Sequence, residues 1–503
     1  MKFIGISVNQ TSPYRITFIS SESPKIGEYV IVKDEGRELL GMVYAVYSEN
    51  PYITESIISP DYAQKIRALT SGSIKYRAVV NLLGEITDNG LSSLKSPPKP
   101  SSDVFIADNE TLKRVFKIED KNYVKIGTLL NNPDIPVYIN LSQSVIRHMA
   151  ILAITGAGKS NTVAVLIEKI SEKNGTAIVF DIHGEYRSFR PNNKPIRIIQ
   201  PVIDPRLLDV EEIGALIGVD MDASPQMYYI LNDVVYSIKK RSSSIDEEDK
   251  LDHELNKDFL EDVILELESI KQDKERLRDI VGGNKESLFR LINRLKNLKN
   301  RFGTLFKEGA TELIKQINEG SINVLDLSGL DEDKADIIIS HLLNAILIDK
   351  KKTGNKVLSA PIVCILEEAH IFASNRRITR SKYILNRIAR EGRKFGIGLW
   401  LVSQRPKGLD PDILSQMNNM IILKLVEPED QNHVQRASES LSYELLEYLP
   451  SLNPGEAILI GNMVKIPILV KIDKSLSKLE GHDPNVIEEW LKLNKKVQFQ
   501  EYI

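Results

Sequence analysis

The run Ala153-Ile154-Thr155-Gly156-Ala157-Gly158-Lys159-Ser160-Asn161-Thr162 sets two glycines, a lysine and hydroxyls at the spacing of a phosphate cradle. Gly156 and Gly158 let the backbone turn sharply, so that successive N–H groups point inward at phosphate oxygens. In such a loop Lys159 bridges the β- and γ-phosphates and the Ser160 hydroxyl ligates Mg²⁺, so ATP with Mg²⁺ is the expected ligand pair of Thr155 to Thr162. The usual first glycine of the motif is Ala153 here. That position ends a strand, and alanine serves there if its φ is negative.

Two other apolar runs end in acids, Ile178-Val179-Phe180-Asp181 and Ile365-Leu366-Glu367-Glu368. A phosphohydrolase needs an acid on the metal side and a carboxylate that orients the attacking water. Adjacent residues at a strand's end point to different sides, so Glu367 suits the metal and Glu368 the general base. Asp181, followed by His183, Glu185 and Tyr186, competes for the metal. Its preferred place is a supporting one behind Glu367. Ser403-Gln404-Arg405-Pro406 follows another apolar run, where the Gln404 amide can bond both γ-phosphate and water; a plain turn before Pro406 is the alternative. Around Asn386 to Gly396, Ile384, Leu385 and Ile388 share a core-facing stripe, while Arg387, Arg390 and Lys394 share another face. Arg393 after Gly392 can reach a neighbouring copy's γ-phosphate; a solvated basic face is the alternative.

These groups need a scaffold of buried parallel strands. Ile151–Thr155, Thr176–Asp181, Ile196–Gln200, Ile322–Leu327, Pro361–Leu366, Gly396–Ser403 and Met420–Leu425 are short and apolar, as strands covered on both faces are. They alternate with helical patterns, beginning with the stripe Val163, Leu166, Ile167 and Ile170. The predicted core is therefore α/β, spanning 146–205 and 319–473. Residues 206–318 interrupt it with a charged helical insertion, where Leu288, Leu291, Leu295 and Leu298 keep near-heptad spacing; a solvated subdomain and a nucleic-acid or subunit contact surface are the two readings. Residues 1–90 read as a small β-barrel, with strands at Lys2–Val8, Tyr14–Ser20, Glu28–Lys33 and Gly41–Tyr47. Residues 91–145 hold a Ser/Pro-rich linker and lead-in strands, and 474–503 an amphipathic tail around Val486, Trp490 and Leu493.

A chain of 503 residues, 42% hydrophobic and 27% charged, has room for several such domains. Its net charge of −3 argues against a surface that is basic all over, but leaves room for a locally basic channel. No stretch approaches the roughly 20 apolar residues that cross a bilayer, and the N-terminus lacks the apolar core of a signal peptide. A cytoplasmic protein without a membrane partner is expected. The one cysteine, Cys364, lies in an apolar run and reads as a small buried hydrophobe.

The ordered set of the P-loop, Asp181 to Tyr186, Leu366-Glu367-Glu368-Ala369-His370, Arg390-Glu391-Gly392-Arg393-Lys394 and Ser403-Gln404-Arg405-Pro406 resembles the HerA family, the archaeal and bacterial branch of the HerA–FtsK ATPases. The resemblance covers nearly the whole chain. It implies a RecA-like ATPase core behind a barrel of the HerA type. It further implies a homo-hexameric ring that hydrolyses ATP at subunit interfaces and moves double-stranded DNA through its channel. The expected partner is a NurA-type nuclease, in end processing for recombinational repair at the nucleoid. The family pattern also places Arg147, just before the P-loop strand, at the nucleotide, with Asn462, Val464 and Lys465 near it. It supplies a trans-acting arginine from Arg390 or Arg393.

Two other functions compete. A secretion ATPase of the type IV kind would move protein or DNA at a membrane, and lacks an anchor here. A ring that holds ATP without hydrolysing it would serve as a scaffold. Glu368 discriminates between motor and scaffold.

Overall fold

A computed structural model describes residues 1–50, 52–53, 59–70, 74–87, 90–243, 258–281, 285–438 and 441–480. The predicted tail around Val486, Trp490 and Leu493 lies outside the described residues. The chain forms two compact units, Met1–Ile170 with Gly398–Leu476, and Ser171–Ile397 with residues 477–480.

The first unit begins with a closed barrel. Its strands run Arg15–Ser20, Lys2–Val8, Asp103–Ile106, Tyr29–Asp34, Arg37–Glu49 and Lys75–Thr87, and the last pairs with the first to close the ring. Closure removes the exposed edges that an open sheet would present. Alternating side chains fill its inside, among them Ile16, Phe18, Val30, Val32, Val80 and Val104. The strand Asp103–Ile106 lies beyond the Pro-rich stretch, so the chain leaves the barrel and returns to it.

The same unit holds a second set of strands, in the order Ile397–Ser403, Met149–Leu152, Asn419–Ile422, Glu456–Gly461, Ile468–Ile472, Tyr123–Leu129 and Pro136–Asn140. The first three are parallel and the remainder antiparallel. Every residue of Met149–Leu152 and Ile397–Ser403 is buried, as two covered faces require. The helix Lys159–Glu172 follows the P-loop, with Val163, Leu166, Ile167 and Ile170 buried as the periodicity predicts.

The second unit is built on four parallel strands, in the order Arg197–Ile199, Ile322–Asp326, Thr176–Asp181 and Ile362–Leu366. Helices Glu332–Lys351 and Arg380–Glu391 bring Ile338, Leu342, Ile384 and Ile388 to its core. Five helices make up the described part of the insertion, between Val210 and Phe302. Leu288, Leu291, Leu295 and Leu298 form its buried stripe, while Lys296 and Lys299 pair with Glu268 and Glu261 on the neighbouring helix Phe259–Gln272. Cys364 is buried, and burial pushes its thiol up to about 12, so it packs as a hydrophobe. No helix among the described residues is long and apolar enough to cross a membrane.

Candidate nucleotide site

The P-loop grows out of the strand Met149–Leu152 while the sheet still holds it. Ala153 donates to the Ser403 carbonyl at 3.2 Å and Ile154 to that of Lys424 at 3.0 Å. Ala153 is fully buried and is not among the residues with positive φ, so the missing glycine is absorbed by the strand end. The turn comes after it. Gly156 has φ +76° and a Cβ there would meet open space; Gly158 has φ +99° and a Cβ would lie 3.0 Å from the Gly455 nitrogen. The first glycine thus leaves room for a ligand, and the second lets two backbones touch. The helix starts at Lys159, so its unpaired N–H groups and dipole face the loop.

Side chains lock this turn. Thr162 Oγ1 donates to the Gly158 carbonyl at 3.0 Å, and Thr155 Oγ1 donates to Gln404 Oε1 at 2.7 Å. Gln404, at the end of the neighbouring strand Ile397–Ser403, therefore stands at the cradle. The Asn161 side chain is engaged within the fold. Its Nδ2 donates to the Asp473 carbonyl at 2.9 Å and its Oδ1 accepts from the Ser475 N–H at 2.9 Å. With Glu168, which accepts from Ser475 Oγ at 2.7 Å, it buckles the residues after the last strand onto the P-loop helix.

In the second unit three carboxylates stand where parallel strands stop. Asp181 is fully buried, and its two oxygens accept the N–H groups of His183, Gly184, Glu185 and Tyr186 at 2.8 to 3.2 Å. It folds the loop after its own strand. Glu367 is 2% exposed and accepts from the Tyr186 hydroxyl at 2.7 Å. Burial, and then the Glu367 charge and that hydrogen bond, push the Tyr186 phenol well above its ordinary value. Glu368, 3% exposed, has φ +43°. For a residue with a Cβ this costs about 1–2 kcal/mol, and such strain persists only where the surroundings fix it. His183 Nε2 lies 3.9 Å from Glu368 Oε1, and His370 Nδ1 3.4 Å from Oε2. Tyr186 and the two histidines belong to recognised segments, but the sequence assigned them no contact.

The remaining predicted residues occupy the opposite ends of the strands. In the first unit Arg147 precedes Met149, and Gly461 pairs with Asn419, itself level with Met149. Asn419 ties this end together: its Nδ2 donates to the His148 carbonyl at 2.8 Å, and its Oδ1 accepts the Met463 N–H at 2.7 Å. Asn462 and Lys465 are exposed in that turn, whereas the Val464 side chain is buried and offers only its backbone. Three strand steps of about 3.3 Å each, and the loop beyond, separate Arg147 from the P-loop of its own chain. In the second unit the Gly396 carbonyl accepts the N–H of Ile362 at 2.9 Å, so exposed Arg390 and Arg393 lie near the start of the strand that ends in Glu367.

The residues present fit Mg²⁺ as a phosphate-bound ion. Among the described residues no group of three or more His, Cys, Asp or Glu forms a protein cage, and a small hard cation held through phosphates needs only a hydroxyl and one or two acids.

Comparison with known proteins matches the same parts. Residues 124–346 fit the model of the HerA helicase central domain, and residues 4–88 that of the HAS barrel domain. The DNA double-strand break repair helicase HerA of Sulfolobus acidocaldarius is 38% identical over 97% of this chain and 96% of its own. The chain belongs to the HerA family. A probable helicase of Methanocaldococcus jannaschii is 39% identical over 98% of this chain and 94% of its own length. Among solved structures, VirB4 of Thermoanaerobacter pseudethanolicus aligns with 72% of this chain and 98% of its own at a TM-score of 0.52, with 16% identity, a likeness of fold. As a member of the HerA family on a P-loop ATPase fold, the chain is an ATP-hydrolysing enzyme of the helicase class.

Proposed function

We propose that this chain is an ATP-driven translocase of double-stranded DNA that works as a homo-hexameric ring with a NurA-type nuclease in DNA end resection. The observation that carries the reading is near-full-length similarity to HerA repair helicases in a chain that carries both a P-loop and an acid pair. Lys159 and the loop N–H groups bind the phosphates, and Thr155 aims Gln404 toward the γ-phosphate and the water. Ser160 and Glu367 would hold Mg²⁺, which when bound neutralises charge on the β- and γ-phosphates. Glu368 takes the proton of the attacking water as general base. Asp181 supports Glu367 and Glu368 by folding the loop whose side chains reach them.

Arg147 precedes the strand that leads into the P-loop, Asn462, Val464 and Lys465 lie in the turn after Gly461, and Arg390 and Arg393 lie near the start of Ile362–Leu366; we assign all six to the nucleotide of a neighbouring copy. ATP then links copies through Lys159 on one side and an arginine on the other, and hydrolysis removes the link. DNA is gripped mainly through its phosphates, so activity is insensitive to sequence and falls steeply with salt. The site of action is the cytoplasm, at the nucleoid.

The test is ATPase activity of gel-filtered protein at low salt, with and without duplex ends and with a NurA-type nuclease. Duplex DNA is expected to stimulate turnover. Glu368→Gln is expected to lower kcat by about 10²–10⁴-fold while ATP binding persists. Turnover indifferent to DNA, together with no strand displacement in the nuclease's presence, would sink the translocase. Repair activity that survives Glu368→Gln would favour a scaffold.

A further inference from the structure

Glu368 is the acid of the pair with a left-handed backbone, φ +43°, and the imidazoles of His370 and His183 stand 3.4 and 3.9 Å from its carboxylate. His370 approaches from the short turn Ala369–Phe372 and is largely enclosed, its side chain 14% exposed. His183 approaches from the loop that Asp181 folds, and its side chain is 52% exposed. That loop also carries Tyr186, the donor to Glu367. Four backbone bonds to Asp181 fix the loop, and from it one side chain reaches each carboxylate. The loop is braced from outside as well. Arg187 donates to Asp326 at 2.8 Å and Ser328 at 2.7 Å, and Glu185 accepts the Glu480 N–H at 2.8 Å.

We propose that His183 and His370 are positioning residues that hold the Glu368 carboxylate in the orientation from which it takes a proton, with the Asp181–Tyr186 loop setting both acids at once. His370, closer and more enclosed, fixes the carboxylate. His183, farther and half in water, trims it. The proposal rests on Glu368 being the general base.

ATP hydrolysis by the full-length oligomer tests it, with binding of a fluorescent ATP analogue and thermal melting followed for each variant. His370→Ala is expected to lower kcat by about ten- to a hundredfold with KM for ATP changed less than about twofold, because a small misalignment of a reacting group costs rate and not ground-state binding. His183→Ala gives a smaller fall, about three- to tenfold. His370→Asn, whose amide nitrogen stands in for Nδ1, and His183→Gln, which stands in for Nε2, restore most of the rate. Placed in Glu368→Gln, His370→Ala adds nothing further, since groups that act through one another are not additive.

Wild-type kcat in both alanine variants, with Glu368→Gln inactive, overturns the proposal and spares the base. Parallel loss of kcat, analogue binding and melting temperature, without rescue by Asn or Gln, assigns the histidines to packing and also overturns it. Full turnover in Glu368→Gln removes the base itself, and is told apart by that single variant.

Discussion

The strand Met149–Leu152 opens into a loop whose Thr155 and Gly156 are exposed, whereas Ile362–Leu366 closes on Glu367 and Glu368, both nearly sealed from solvent. Backbone N–H groups can face water at no cost and release it to a phosphate. A carboxylate cannot be buried without partners. The P-loop end is therefore specified by conformation, through two glycines at positive φ. The acid end is specified by a network, with hydrogen bonds made through Asp181 and Tyr186 and the imidazoles of His370 and His183 lying 3.4 and 3.9 Å from Glu368. Mutations should fail differently at the two ends.

The largest contrast is expected at Asp181. Asp181→Ala leaves four backbone N–H groups without their acceptor, and at roughly 1–3 kcal/mol for each donor left dry, a net loss of about 3–5 kcal/mol remains after some are rehydrated. Urea unfolding measures it. A loss under about 1 kcal/mol would break the comparison, because the acid end would then need no network.

The glycines sharpen the other side. Gly158→Ala combines positive φ with a Cβ 3.0 Å from the Gly455 nitrogen, so it should lower the melting temperature as well as nucleotide binding. Gly156→Ala has the strain without the clash. It should cost about 1 kcal/mol of stability and lose nucleotide binding, because the methyl group points into ligand space. Equal melting temperatures for the two variants would show that the Gly158–Gly455 approach does not matter to the fold.

How much of this was legible in the sequence follows the same division. A loop specified by conformation is written in consecutive residues, so Gly156, Gly158 and Lys159 announce it. Strands covered on both faces are written as apolar runs, and the parallel strands Thr176–Asp181 and Ile362–Leu366 were placed to within a residue. The antiparallel extension Tyr123–Leu129, Pro136–Asn140 and Ile468–Ile472 is legible only as unplaced lead-in strands within 91–145, and not at all at 468–472, since short strands of mixed burial carry a weaker pattern. Asp103–Ile106 was hidden behind prolines, although it completes the barrel. Networks are not written locally. Tyr186 and Glu367 stand 181 residues apart, and no spacing announces their bond. Asn161 shows how a motif residue can also serve the fold: its side chain bonds the backbone at Asp473 and Ser475, which leaves its N–H for the loop.

A further variant isolates the Tyr186–Glu367 bond. Tyr186→Phe keeps the ring in its apolar site and removes one hydrogen bond to a carboxylate, worth about 1.5–3 kcal/mol at neutral pH. The pH dependence identifies it. Burial, with the Glu367 charge behind it, raises the Tyr186 phenol above its unfolded value of 10.0. Above that pH the unfolded chain has released a proton which the folded chain still holds, so stability falls as pH rises. The contribution is fully present below about pH 10 and is lost as the pH climbs toward the folded value. The stability difference between wild type and Tyr186→Phe should therefore be flat from neutral pH to about 9 and shrink beyond it. A difference that stays constant through that range would mean that the hydroxyl is not buried beside Glu367, and the acid end would lose its link to the Asp181 loop.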